Sequence, residues 1–264
     1  MRPSISQRVH YRAGDAEPSE STSTIVLTSP SRVFVDIRVK KPTSFEEAIF
    51  LADVGSADLI DWAFAGRSQG HMLGDEPGKP FSQEWIHWLD SKVPYGAATE
   101  KDAGLMYAQD DPTLTLEVGK NVDAETGAES TYEELWKDLP IEECEDGGKL
   151  YCMTAKLDHP EGKARGVMVR LGRFCQGILQ VGSTISMERW AWNPHGYPEN
   201  WKRIVGIGPH TIPCSMLNRP SINEGDEYPT ERGVWRVQEK FSWTEGEATE
   251  SSFLEMGKDP KGWF

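Results

Sequence analysis

Three ionisable side chains stand where a β-strand would turn them toward apolar surroundings, and a general acid needs that kind of placement. Alternation along residues 234–243 puts Glu239 on one face with Trp235, Val237, Phe241 and Trp243. A carboxyl buried there is costly unless paired, and desolvation raises its pKa toward the range of a proton donor. The bland alternatives are a bulge that turns Glu239 outward, or an arginine that neutralises it. Arg173 shares parity with Val167, Val169 and Leu171 and would be such a partner, unless Gly172 ends the strand and leaves Arg173 in a turn. Along residues 184–192, Glu188 falls with Trp190 and Trp192, which suits an apolar ligand with one polar handle or, equally, a packed seam. His87 alternates onto the face of Trp85 and offers either a proton donor or a core histidine with satisfied nitrogens.

Chemistries with a visible signature are missing. The chain has no G-x-S-x-G elbow, no H-E-x-x-H, no Walker-type phosphate loop and no G-x-G-x-x-G opening a helix. Gly206-Ile207-Gly208 is followed by Pro209 and reads as a strand end. The remaining histidines have no ligand spacing, and Cys144, Cys152, Cys175 and Cys214 form neither a C-x-x-C pair nor a zinc ladder. No cofactor and no metal are expected, and the cysteines are expected to be free thiols.

Acidic residues outnumber basic ones 42 to 28, a formal net charge of −14, which argues against nucleic acid and anionic membrane surfaces as partners. The first residues lack the apolar core of a signal peptide, and no apolar run approaches the ~20 residues that span a bilayer, so a cytoplasmic location is expected. Ten tryptophans, mostly in strand-like segments, either fill a core or line a pocket, and the pocket gives an apolar small-molecule partner. Self-association as a homodimer is compatible with all of this.

The elements that must position these groups are strands. Period-two alternation recurs at residues 33–39, 58–65, 84–90 and 114–118, and again at 150–157, 166–172, 176–181, 184–192, 201–207 and 234–243. In the first of these, Val33, Val35, Ile37 and Val39 form one face, and Phe34, Asp36 and Arg38 the other. Residues 123–148, rich in Glu, Asp and Gly, separate the two sets, and Ser130 with Glu133 forms a capping-box pattern for a short helix over 130–137. The expected organisation is an N-terminal barrel over 1–122, an acidic connection over 123–148, a C-terminal barrel over 149–243 and a flexible tail over 244–264. Hiding sheet edges leads to an all-β fold with little helix, either two consecutive antiparallel barrels or one barrel and a partly open sheet.

Four segments carry a resemblance that alternation alone does not supply. Asp61-Trp62-Ala63-Phe64-Ala65-Gly66, His87-Trp88-Leu89-Asp90-Ser91, Glu134-Leu135-Trp136 and Leu171-Gly172-Arg173-Phe174-Cys175-Gln176-Gly177 resemble, in order, signature stretches of the fungal HRI-type β-barrel proteins. Glu46–Ala57 and the loop at His195-Gly196-Tyr197-Pro198 stand outside the resemblance. It implies two consecutive lipocalin-like barrels. It also implies one of two roles: an interaction protein that binds a casein-kinase-type or translocation partner, or a cofactor-independent hetero-Diels–Alderase of tropolone-sesquiterpenoid biosynthesis. Such a pericyclase would join a tropolone-derived ortho-quinone methide to humulene. On that reading Glu239, Glu188 and His87 are candidate acids, Arg173 and Gln176 hold substrate oxygens, and Trp62, Trp85, Trp190, Trp192 and Trp235 form the walls. A passive carrier of hydrophobic metabolites would use the same cavity without turnover.

Overall fold

The computed structural model describes residues 2–73, 79–99, 101–122, 127–144, 148–195 and 200–244. Eight antiparallel strands close a barrel in sequence order: β1 (Ser4–Ala13), β2 (Thr22–Thr28), β3 (Val33–Lys40), β4 (Ile60–Met72), β5 (Phe81–Asp90), β6 (Lys101–Ala108), β7 (Leu114–Val122) and β8 (Glu129–Leu139), with β8 returning to pair with β1. The expected helix over 130–137 is therefore a strand, and the first unit runs through Leu139 rather than ending at 122. The capping-box pattern is a local preference. It loses to the alternation of Tyr132, Glu134 and Trp136, whose strand is hydrogen-bonded to β7 on one side and β1 on the other.

A second antiparallel sheet follows, built from β9 (Lys149–His159), β10 (Ala164–Leu171), β11 (Phe174–Val181), β12 (Thr184–Trp192), β13 (Trp201–Ile207), β14 (Glu227–Thr230) and β15 (Gly233–Thr244). Its order is β13-β12-β11-β10-β9-β15-β14, so of the two expected forms the molecule takes one closed barrel plus an open sheet. Both edges are blunted: β14 is four residues long and contains Pro229, while β13 meets the end of α1 (Phe45–Val54). There Gly55 N–H donates to the Gly206 carbonyl at 2.7 Å, and Arg203 Nε donates to the Ala52 carbonyl at 2.7 Å. The tail over 245–264 and the loop over 196–199 lie outside the described residues, as does part of the expected acidic connection.

The two units share one core. Val33, Val35, Ile37 and Val39 are fully buried, but they point away from the barrel interior and join Val167, Val169, Ile178 and Met187 of the sheet in one apolar cluster. Burial of that outward face glues sheet to barrel. The other parity of β3, with Phe34, Asp36 and Arg38, is thereby turned into the barrel. On its far side the sheet curls around a second cluster that includes Met153, Leu157, Met168, Leu179 and Trp235, closed by α2 (Cys214–Leu217).

The W-A-F-A-G stretch has a local reason for its glycine. The β4–β5 register shifts between Ala65 and Gly66, and there the β5 backbone comes so close that a Cβ on Gly66 would lie 1.9 Å from the Ile86 carbonyl oxygen. Gly66→Ala is expected to cost about 1–3 kcal/mol through forced backbone displacement, read as a lower urea midpoint. An unchanged midpoint would mean that the bulge relaxes freely.

Candidate functional site

The barrel is hollow, with a cavity of about 1130 Å³. A single ligand pocket typically occupies ~300–1,000 Å³, so there is room for two small molecules side by side. Aromatic rings from four strands form the wall: Phe34, Trp62, Phe64, Phe81, Trp85 and Trp136. Space for them depends on a cross-strand pair of glycines, Gly104 in β6 and Gly119 in β7. A Cβ on Gly119 would meet the Tyr132 ring at 2.2 Å, and one on Gly104 would meet Glu117 Cγ at 2.7 Å, so Tyr132 and Glu117 lie flat against the wall only because both positions are bare.

Facing the rings is a buried polar network. Glu134 accepts from both Arg8 and Arg38, the latter at 2.9 Å, and Arg38 Nε donates to Asp36 Oδ2 at 3.0 Å. Arg8 also donates to Glu20 Oε2 at 2.6 Å and to Thr22 Oγ1 at 2.9 Å. Arg38 is held under the rings of Trp62 and Phe64, each 5.3 Å from Cζ, and near Trp136 at 5.8 Å. Burial works against both guanidinium charges, but the surrounding carboxylates outweigh it and keep both above the ordinary arginine value. Glu117 is different. Tyr132 Oη and Trp136 Nε1 each donate to its carboxyl at 2.9 Å, yet burial and the neighbouring charge of Glu134 push its pKa up to about 8. At neutral pH it carries a proton, next to a cavity that can receive it. Burial also raises Asp36 and Asp102, both on the cavity wall.

The profile of the family described as Protein HRI1 matches residues 4–239, nearly the whole of this barrel and sheet. The chain belongs to the HRI1 family. Among solved structures it is similar to the uncharacterized protein YLR301w from Saccharomyces cerevisiae, at 16% identity and a TM-score of 0.67, over 91% of this chain and all of that one; at that identity the likeness concerns the fold. No curated protein matches the sequence. No helix among the described residues is long and apolar enough to cross a membrane, and no group of His, Cys, Asp and Glu among them could hold a metal ion.

Within this HRI1-family fold, the residues singled out from sequence scatter over five places. Trp62 and Trp85 line the cavity. His87 is buried behind it, stacked on Phe64 with centroids 4.2 Å apart and bonded through Nδ1 to Asp90 Oδ2 at 2.9 Å. The same Asp90 accepts from Trp62 Nε1 at 2.9 Å, and although burial opposes its charge, the bonds from His87, Lys92 and Trp62 hold its pKa below the usual carboxylate range.

The other seven lie elsewhere. Trp235 is fully buried in the curl of the sheet, against Gly166. Glu188 is buried by β13, where Trp190 Nε1 donates to it at 2.7 Å and Arg203 lies 3.5 Å away; burial raises its pKa. Trp192 packs edge-on to Trp201. Arg173 sits in the β10–β11 turn behind Gly172 at φ +53°, paired with Glu142 at 3.0 Å, as the turn alternative has it. Gln176 is a clamp between the units. Its Nε2 donates to the carbonyls of Ile25 at 3.0 Å and Val35 at 3.1 Å, and its Oε1 accepts from Arg189, which also donates to the Ile37 carbonyl at 2.7 Å.

Glu239 lies in that same seam. A bulge follows Val237, and it turns Glu239 toward the barrel rather than outward, with Phe241 and Trp243 beyond it. Both carboxyl oxygens are buried without a hydrogen bond, and burial pushes the pKa up to about 7 against the pull of Ser29, Thr154 and Arg67. The folded chain holds this proton while the unfolded chain, near 4.5, releases it. Stability therefore falls as pH rises from about 4.5 to about 7, by about 3 kcal/mol for this group. Glu239→Gln is expected to remove that share of the slope and to be more stable than the parent at pH 8, measured by urea midpoints at pH 5 and 8. Parallel curves for the two proteins would show that Glu239 has a partner in solution.

Sequence reasoning missed the polar network itself. Arg8 and Glu20 lie outside the strands expected from alternation, and the helical reading of 130–137 hid Tyr132, Glu134 and Trp136. Asp36 and Arg38 were visible, on the face opposite the valines, and the paired glycines of β6 and β7 were a second available signal.

Proposed function

We propose that the chain is a cofactor-independent pericyclase, a hetero-Diels–Alderase that holds a hydroxymethyl tropolone or related phenol beside humulene in the barrel cavity. The observation that carries this reading is a buried carboxyl, Glu117, its pKa pushed up to about 8, on the wall of a space large enough for two apolar partners. Glu117 gives its proton to the departing hydroxyl, the C–O bond breaks and water leaves. The ring hydroxyl then returns a proton to the carboxylate, leaving a neutral ortho-quinone methide. Its methide carbon and its oxygen each form one σ bond to the alkene carbons of the terpene, at the expense of the alkene π bond and one π bond of the oxadiene as the ring regains its conjugation, with no net redox change. Holding the two partners in contact contributes up to ~7–11 kcal/mol in favourable intramolecular cases, and the aromatic wall supplies that confinement.

The test is incubation of the purified chain with the hydroxymethyl precursor and humulene. A single enantiomer of cycloadduct, formed faster than in buffer, supports the proposal; racemic product at the buffer rate overturns it. One observation favours the second reading, an interaction protein: α1 leaves Phe45, Ile49, Phe50 and Val54 exposed, with only Leu51 buried.

A further inference from the structure

The cavity's charge decides which ligands it prefers. Deep in the barrel, the two guanidinium groups of Arg8 and Arg38 face five carboxyls, those of Glu20, Asp36, Asp102, Glu117 and Glu134. At the rim, Arg2 and Lys92 are balanced by Asp61 and Asp138. The deep arginines are already engaged, Arg8 by Glu20 and Glu134, and Arg38 by Asp36 and Glu134. An anionic ligand would have to compete with those pairs.

Three carboxyls keep acceptor positions for a ligand. Asp102 and Glu117 form no ion pair among the described residues, Glu117 taking only the neutral donors Tyr132 and Trp136, and Asp36, paired with Arg38 through Oδ2, keeps a buried Oδ1 with no hydrogen-bond partner. They lie among rings: Asp102 is opposite Trp85 in the β5–β6 register, and Glu117 is opposite Met106, itself opposite Phe81. The cavity already holds one organic cation in this manner, since Arg38 lies under Trp62 and Phe64 with carboxylates at its edge.

We propose that the barrel cavity selects ligands with an apolar body and one positive charge, a quaternary ammonium or a protonated amine, and disfavours anions. Aromatic faces and carboxylates with open acceptor positions both stabilise a cation that water has left. The inference rests on the reading of the cavity as the ligand site. It deepens that reading, because loss of water from the protonated precursor builds positive charge on the substrate, which these same groups would face. The charge preference also depends on pH. Glu117, with its pKa pushed up to about 8, must give up its proton to attract a cation, with Asp36, Asp102, Glu20, Glu134, Arg8, Arg38 and Tyr132 around it and the His87–Asp90 pair behind the wall.

Benzyltrimethylammonium and its neutral carbon isostere, neopentylbenzene, separate charge from shape. By calorimetric titration of the full chain at pH 9, the cation is expected to bind at least about tenfold more tightly than the isostere, with the advantage shrinking at pH 6 as Glu117 protonates. The double variant Glu117→Gln, Asp102→Asn should lose that advantage and keep affinity for the isostere. Equal affinities at pH 9, or tighter binding of phenylacetate than of the cation, overturn the inference and leave the cavity reading standing. Binding of neither probe overturns both. Cation affinity unchanged in the double variant would place it on the acidic surface and also overturn the inference. Should that variant not fold, the two-probe, two-pH comparison on the parent chain decides alone.

Discussion

Glu117→Gln is expected to slow the proposed cycloaddition by about 10²–10⁴-fold, the range over which a positioned acid acts. Glutamine keeps the length of the side chain and still offers an oxygen to Trp136 Nε1 and a polar edge to Tyr132 Oη, so the cavity keeps its shape while losing the proton it delivers. The loss should therefore fall on kcat with KM little changed, because binding rests on the aromatic wall. The pH profile gives an independent readout. In the parent chain the acid is protonated below about 8, so the rate should hold up to that point and fall as pH rises through it. The variant should lose this alkaline fall along with most of its rate. A variant that keeps the parent rate, or the same alkaline limb, would assign the proton to another group, with Asp102 the next in position.

Trp235→Ala and Trp85→Ala are expected to part company, although both residues share aromatic-rich strands of the same pattern. Trp235 is fully buried, and removing it leaves a hole bounded by Gly166 and the side chains of the sheet's curl, for a loss of about 3–5 kcal/mol of stability. Its indole Nε1 is buried without a partner, so Trp235→Phe deletes an unsatisfied donor as well as volume and should cost about 1.5 kcal/mol or less. Trp85 is only partly buried, packed on one side against the aromatic cluster of Phe34, Phe64 and Trp136 and lining the cavity on the other. Its replacement should weaken ligand binding several-fold and move the urea midpoint by roughly 1 kcal/mol or less. Equal stability losses at the two positions would mean that the barrel is filled in solution, and with it the cavity argument would fail.

Much of the architecture was legible before any coordinates. Alternation located ten segments that are strands in the structure, because a side chain's face in a pleated strand follows from its parity alone. Even the seam between the units was written in Val33, Val35, Ile37 and Val39. The errors have physical causes as well. Ser130 and Glu133 carry a true local signal for a helix, and only pairing with two neighbouring strands overrides it. Glu239 shares parity with Trp235, but one extra residue at the bulge after Val237 reverses the face of everything downstream, and no propensity marks where a bulge will form.

The candidate site was harder to see, because the usual equation of apolar face with interior fails here. In a barrel that is hollow within and glued to a sheet without, the valine face of β3 points out and the Asp36–Arg38 face points in. Sequence by itself determined that the chain is built of antiparallel strands, which residues share a face, and that large rings stand ready to line or fill something. Only tertiary structure decided which face encloses the cavity and which carboxyl keeps its proton. Both depend on groups from distant strands meeting across an interior, where Glu117, Glu134, Arg8 and Arg38 set one another's charge, and parity along one strand carries no record of what stands opposite.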